Sequence, residues 1–148
     1  MKKFISITFV ALILAGSLTV WGQAPTSEKL ASGTYIVYAI SPQAWRFTVD
    51  PKTMANASIV GHFNVTDGNP KDIDVFVFSE ENYWKFRGDD AAAKAAAKPV
   101  FEARKKADGD INVKLTEPGN YFLVFSNLKQ YEGTKTFSAD VKLQFEKK

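Results

Sequence analysis

The chain carries few residues able to do covalent chemistry. Cysteine is absent and His62 is its one histidine, which removes a thiol nucleophile and a thiolate metal site. A serine–histidine–carboxylate triad would need His62 as base, yet no Gly-x-Ser-x-Gly elbow accompanies it. With Gly61 and Phe63 on either side it reads as a mid-strand residue, structural or surface-facing. Glycine-rich phosphate loops are missing too. Carboxylates do come in pairs: Asp72 with Asp74, Glu80 with Glu81, Asp89 with Asp90, and Asp108 with Asp110. On a strand, positions i and i+2 share a face, which acid–base catalysis or calcium could use. Each pair, however, falls at a turn or strand end, where aspartate is ordinary. The best oxygen cluster is Asp67, Asn69, Asp72 and Asp74 around one turn, a weak calcium candidate without a recognised loop spacing. No catalytic residue and no cofactor are expected.

The one binding candidate is aromatic. Tyr83, Trp84, Phe86 and Arg87, with Lys85 among them, place three rings beside two cations. Such a run suits stacking on a sugar, a peptide or a lipid head group; alternatively Trp84 and Phe86 close an open end of the core. The cluster is expected in a loop at one end of the fold, with Tyr83 and Trp84 facing solvent. Next comes Asp89–Lys98, rich in alanine and lysine, which favours helix, with aspartates to cap its start and Pro99 to stop it. So short a helix is marginal alone, and reads either as a solvated insertion or as a lid.

Around these residues the pattern is β. Residues 35–40 and 44–49 read as strands separated by the Ser41-Pro42 turn. In the second, Trp45, Phe47 and Val49 alternate with Arg46 and Thr48, the mark of a half-buried strand. Residues 57–65 form a third, with Ile59, Gly61 and Phe63 on one side and Val60, His62 and Asn64 on the other. After the Asp67-Gly-Asn-Pro70 turn, residues 72–79 are apolar enough to be central. Residues 100–105 and 111–115 read as a hairpin across Asp108-Gly109. Past Pro118-Gly119, the run from Tyr121 reads as a strand buried on both faces: Tyr121, Leu123 and Phe125 one way, Phe122 and Val124 the other. Thr134–Phe145 is the last. Eight short strands predict an all-β fold, an antiparallel jelly-roll-like sandwich with the Ala/Lys helix inserted in one loop.

Trp45-x-Phe47, Asp72-Ile-Asp74-Val, Gly109-x-Ile111, Gly119-x-Tyr121-x-Leu123-x-Phe125-x-Asn127 and Lys135 together resemble the GOLD (Golgi dynamics) domain, in particular bacterial exported single-domain proteins of that type. The likeness spans nearly the whole chain after residue 24, with its specific part in the last third. It departs from the pattern at Gln130, where a serine is expected, and in the Ala/Lys insertion. The resemblance implies a β-sandwich serving protein interaction, cargo or lipid association, and brings no catalytic residues.

The N-terminus speaks to location. Lys2-Lys3 precede an apolar run from Phe4 to Val20, and Gly22-Gln-Ala24 supply small residues for cleavage, the signature of a secretory signal peptide over residues 1–24. The rival is an uncleaved anchor, since the run nearly reaches the roughly 20 residues of a span. Residues 25–33 are polar and expected to be a flexible lead-in, leaving 34–148 as the sandwich domain. Removing Lys2 and Lys3 from the 19 basic residues leaves 17 against 16 acidic, a net of +1. No face therefore concentrates charge for nucleic acid. Without disulfides the domain must hold together by burial, which 45% hydrophobic and 14% aromatic content can supply. The reading is an exported, periplasmic or extracellular, non-enzymatic sandwich with an envelope or secreted protein partner, meeting membrane only through its leader. The alternative is a carbohydrate or lipid binder using the loop aromatics.

Overall fold

The computed structural model describes residues 24–39, 41–127 and 133–148. The expected leader (residues 1–23 of it) and Gln130 lie outside them. The elements are β1 (Thr26–Tyr38), β2 (Gln43–Val49), β3 (Met54–Asp67), β4 (Ile73–Ser79), α1 (Glu80–Arg87), α2 (Ala91–Ala96), β5 (Phe101–Lys106), β6 (Asp108–Lys114), β7 (Gly119–Ser126) and β8 (Thr134–Lys147). All strand pairs are antiparallel, in two four-stranded sheets of order β1-β8-β3-β6 and β2-β7-β4-β5. Successive strands change sheet at every step except β4 to β5, which is jelly-roll topology as the sequence suggested.

Alternation along each strand supplies the core between the sheets. Along β8, Phe137, Ala139, Val141, Leu143 and Phe145 are buried while the residues between them are not. Phe125 and Phe137 stack across the gap at 4.5 Å, and Phe63 meets Phe125 edge-on at 5.8 Å. On β3, Ile59 and Phe63 point in and His62 and Asn64 point out, as their pattern predicts. Gly61 between them is obligatory: a Cβ there would lie 2.3 Å from the Asp140 carbonyl oxygen of β8. Backbone cannot yield as a flexible side chain does.

The strand starting at Gly119 is buried on both faces. Tyr121, Leu123 and Phe125 join the main core, whereas Phe122 and Val124 join a second cluster with Phe76, Phe78 and Tyr83 on the outer face of the β2-β7-β4-β5 sheet. Its entry is fixed by Gly119, whose φ of 139° suits glycine, and by the Tyr121 hydroxyl, which donates to the Glu117 carbonyl at 2.7 Å. That is the tyrosine-corner contact of Greek-key sandwiches.

Two expectations are corrected. Residues 26–33 are no lead-in: they are the first half of β1, paired with β8 from Thr26–Phe145 to Gly33–Ala139. Their polarity misleads because β1 is an edge strand; along Thr26–Gly33 only Ala31 is fully buried. Residues 100–115 are no hairpin either, since β5 pairs with β4 in one sheet and β6 with β3 in the other. Lys105, in left-handed conformation at φ 52°, turns the chain at this corner, its N–H held by Asp74 Oδ1 at 2.8 Å. Asp108 and Gly109 sit inside β6, where a Cβ at Gly109 would crowd the Phe63 ring at 3.2 Å. Glycine there serves packing rather than a turn.

Leu123, with no exposed surface, should lose about 2–5 kcal/mol on truncation to alanine; a denaturant midpoint shift equivalent to under about 1 kcal/mol would contradict its central position. Burial, and then the Glu117 carboxylate, raise the Tyr121 pKa above its usual 10. The neutral phenol is therefore the form the fold favours. Its contribution is complete below about pH 10 and is lost as pH rises through the higher folded value. Between pH 9 and about 12 wild type should lose thermal stability more steeply than Tyr121→Phe; parallel curves would refute the assignment.

Candidate functional site

The aromatic cluster lies on a helix laid across the outer sheet face, not in a loop at the end of the sandwich. The local sequence accounts for it: Glu80 and Glu81 occupy the first turn of α1 and Lys85 and Arg87 the last, each favourable to the helix dipole. Glu81 and Lys85 also pair at i,i+4, 2.5 Å apart, and this contact draws the Glu81 pKa below the usual glutamate value. The helix start is tied down by Glu80, which takes Arg46 Nη2 at 3.0 Å and Asn120 Nδ2 at 2.8 Å. These charges at the two ends were the available signal for α1, masked by the apolar rings between them.

On this helix the four candidates separate. Tyr83 is buried, its ring parallel to Phe122 at 3.9 Å, which corrects the expectation that it faces solvent. Trp84 is 59% exposed, touching Tyr83 and Phe122 only by their edges. Phe86 turns towards β4, stacked on Phe78 at 5.0 Å and tilted over Phe76 at 5.4 Å. Arg87 is exposed. Thus Tyr83 and Phe86 are packing residues, while Trp84 and Arg87 face outward.

The Ala/Lys segment forms α2, shorter than the expected 89–98. Asp90 caps it, accepting from the Ala92 and Ala93 N–H groups at 2.8 and 3.2 Å. None of its residues is buried. It is held at its far end, where Ala97 packs on the outer cluster and the Lys98 N–H donates to Asn82 Oδ1 of α1 at 2.9 Å. Between the two helices and the sheet runs a groove of about 760 Å³, lined by Phe86 and Arg87 together with Ala39, Phe76, Phe78, Asp89, Lys94, Ala95, Ala97, Pro99 and Arg104. Arg104 lies over the Phe76 ring at 4.9 Å. Of these, Phe86 and Arg87 were legible as site residues. Lys94 arrives on the Ala/Lys helix, which the sequence offered as a lid, whereas Arg104 arrives from β5 with no local signal to associate it.

The remaining chemistry is accounted for by structure. The oxygen cluster considered for calcium already holds a cation: the buried Lys135 ammonium binds the Asp72 carboxylate and carbonyl oxygens. Asp74 is engaged by the Lys105 N–H, and Asp67 and Asn69 are exposed. Gly68 lets the turn close over Lys135, whose Cγ would be 2.8 Å from a Cβ at that position. Among the described residues no three metal-ligating side chains converge. His62 pairs through Nδ1 with Asp110 Oδ1 at 2.9 Å on the outer face of β3 and β6, both side chains more than half exposed. His62 also borders an open recess of about 350 Å³ with Ser32, Thr34, Ser138 and Asp140.

Two substitutions separate the roles of the adjacent rings. Tyr83→Ala removes a buried aromatic and should cost about 3–5 kcal/mol, whereas Trp84→Ala should leave the thermal midpoint nearly unchanged. A drop of several degrees for Trp84→Ala would identify its ring as part of the core.

With the geometry in place, comparison with known families adds one match: the sequence model described as emp24/gp25L/p24 family/GOLD fits residues 49–148, from the end of β2 to the end of β8. No curated protein matches the chain.

Proposed function

From the premise that this chain belongs to the emp24/gp25L/p24 family/GOLD, we propose that it is an exported, non-enzymatic β-sandwich mediating protein or cell-envelope interactions. The family's domain is non-catalytic and related to protein interaction and cargo. The observation that carries the reading here is Trp84: a large ring 59% exposed, on a helix whose neighbouring ring is locked against the sheet. A tryptophan presented on a rigid support is the residue type that dominates binding energy in protein interfaces. Export rests on Lys2-Lys3 and the apolar run after them, and gives the molecule an envelope or secreted protein as partner in a periplasmic or extracellular setting. Nucleic acid is no part of the proposal: the composition provides no basic face.

Binding of a carbohydrate or lipid by the aromatic run is the weaker reading. A stacking platform needs bare rings, and Tyr83 is covered by Phe122.

Affinity capture from a native envelope extract, with the domain beginning after residue 24 as bait, tests the proposal. Wild type should retain a defined partner that Trp84→Ala loses while remaining folded. Retention of the same partner by both proteins would remove Trp84 from the interface.

A further inference from the structure

The groove beside α1 has a shape and a charge that Trp84 does not explain. It is lined by Ala39 just after β1, Phe76 and Phe78 of β4, Phe86 near the end of α1 and Arg104 of β5. Its sheet side is therefore built from β4 and β5. Its charged lining is Arg87, Lys94 and Arg104 against Asp89 alone. Among the described residues Arg87 and Lys94 form no ion pair, while Arg104 is held through Nε by Glu102 at 3.0 Å. Two cations without an ion pair among the described residues thus line it, one at the end of α1 and one on α2.

We propose that this groove docks an acidic segment of a protein partner. Carboxylates of the segment pair with Arg87 and Lys94, and its small or aliphatic residues lie against Ala95, Ala97 and Pro99. The proposal rests on the interaction reading above and names the chemistry of the partner. An acyl chain fits the groove less well. Its binding scales with apolar area removed from water, and Phe76 and Phe78 are each only 2% exposed, already covered by Phe86 and Arg104. Little bare ring surface remains to be buried. Guanidinium and ammonium groups at the rim instead reward carboxylates, whose attraction sets partner choice and encounter rate.

The test uses a fluorescein-labelled octapeptide alternating glutamate and leucine, its lysine counterpart, and vesicles containing phosphatidylglycerol. Wild type should bind the glutamate peptide saturably, with anisotropy changes that weaken as salt rises from about 0.05 to 0.3 M. The Arg87→Glu/Lys94→Glu double variant, altered only at exposed positions, should keep its circular dichroism and melting temperature yet bind at least about tenfold more weakly. Equal binding of the lysine peptide, unchanged affinity of the double variant, or no saturation at millimolar peptide would each overturn the proposal. Charge-sensitive binding to the vesicles without binding to the peptide would assign the groove to a lipid surface and overturn it too. Capture of the envelope partner by the double variant but not by Trp84→Ala would leave the interaction reading standing and remove the groove from it.

Discussion

The structure depends on one strand having two apolar faces. Tyr121 to Phe125 is buried without interruption, and so is Val75 to Phe78 of the neighbouring β4. A sheet that buries only one face in a sandwich would leave Phe76, Phe78, Phe122 and Val124 in water. At roughly 25 cal/mol per Å² of apolar surface, four such side chains together are worth several kcal/mol. The outer face of this sheet must therefore be covered. The chain meets that demand with the segment between β4 and β5, where α1 lays Tyr83 on Phe122 and Phe86 on Phe78. The opposite sheet makes a smaller demand: the outward residues of β8, and those of β3 apart from Val60, are polar, from His62 to Lys142, and neither described helix lies on its outer face.

The end of the sandwich is secured differently. Lys135 and Asn127, two polar residues of the family pattern, are both buried and share a small recess with Asp72. The lysine ammonium spans from β8 to the residue preceding β4, joining one sheet to the entry of the other. A pair so enclosed adds little net stability, because desolvation offsets attraction, yet loss of one partner leaves a buried charge uncompensated. Its effect is geometric. It ties the entry of β4 to β8.

From this follows a division of labour. The face made by β1, β8, β3 and β6 is a solvated wall, whereas the other sheet carries the helices, the exposed indole and the cationic groove. Non-catalytic domains of this family act through contact, and contact needs a rigid support for its outward groups. Here the same burial that stabilises the sheet holds Trp84 and Arg87 in place.

Much of the fold was legible in the chain because period-two alternation and runs of apolar residues report directly on burial. The half-buried β2 and β3 and the doubly buried β7 were all readable in this way, and so was the aspartate-capped start of α2. Most of the failures share a cause, pairing or packing between residues distant in sequence; α1 is the exception, missed despite its own end charges. The polar start of β1 is a strand because β8 supplies its hydrogen bonds. Asp108-Gly109 has the local chemistry of a turn, but β3 claims those residues for a strand. The apolar rings of α1 gave no sign of which would be covered, since that depends on where Phe122 and Phe78 lie beneath them. Lys94 and Arg104 share a groove with Arg87 only because α2 and β5 fold back over the same face. The sequence by itself thus determined the strands, the sandwich and the poverty of catalytic groups, all of which are local in composition or period. The tertiary structure alone decided strand partners, the Lys135–Asp72 pair and the exposure of Trp84 over Tyr83, because each is set by which distant side chains compete for the same buried space.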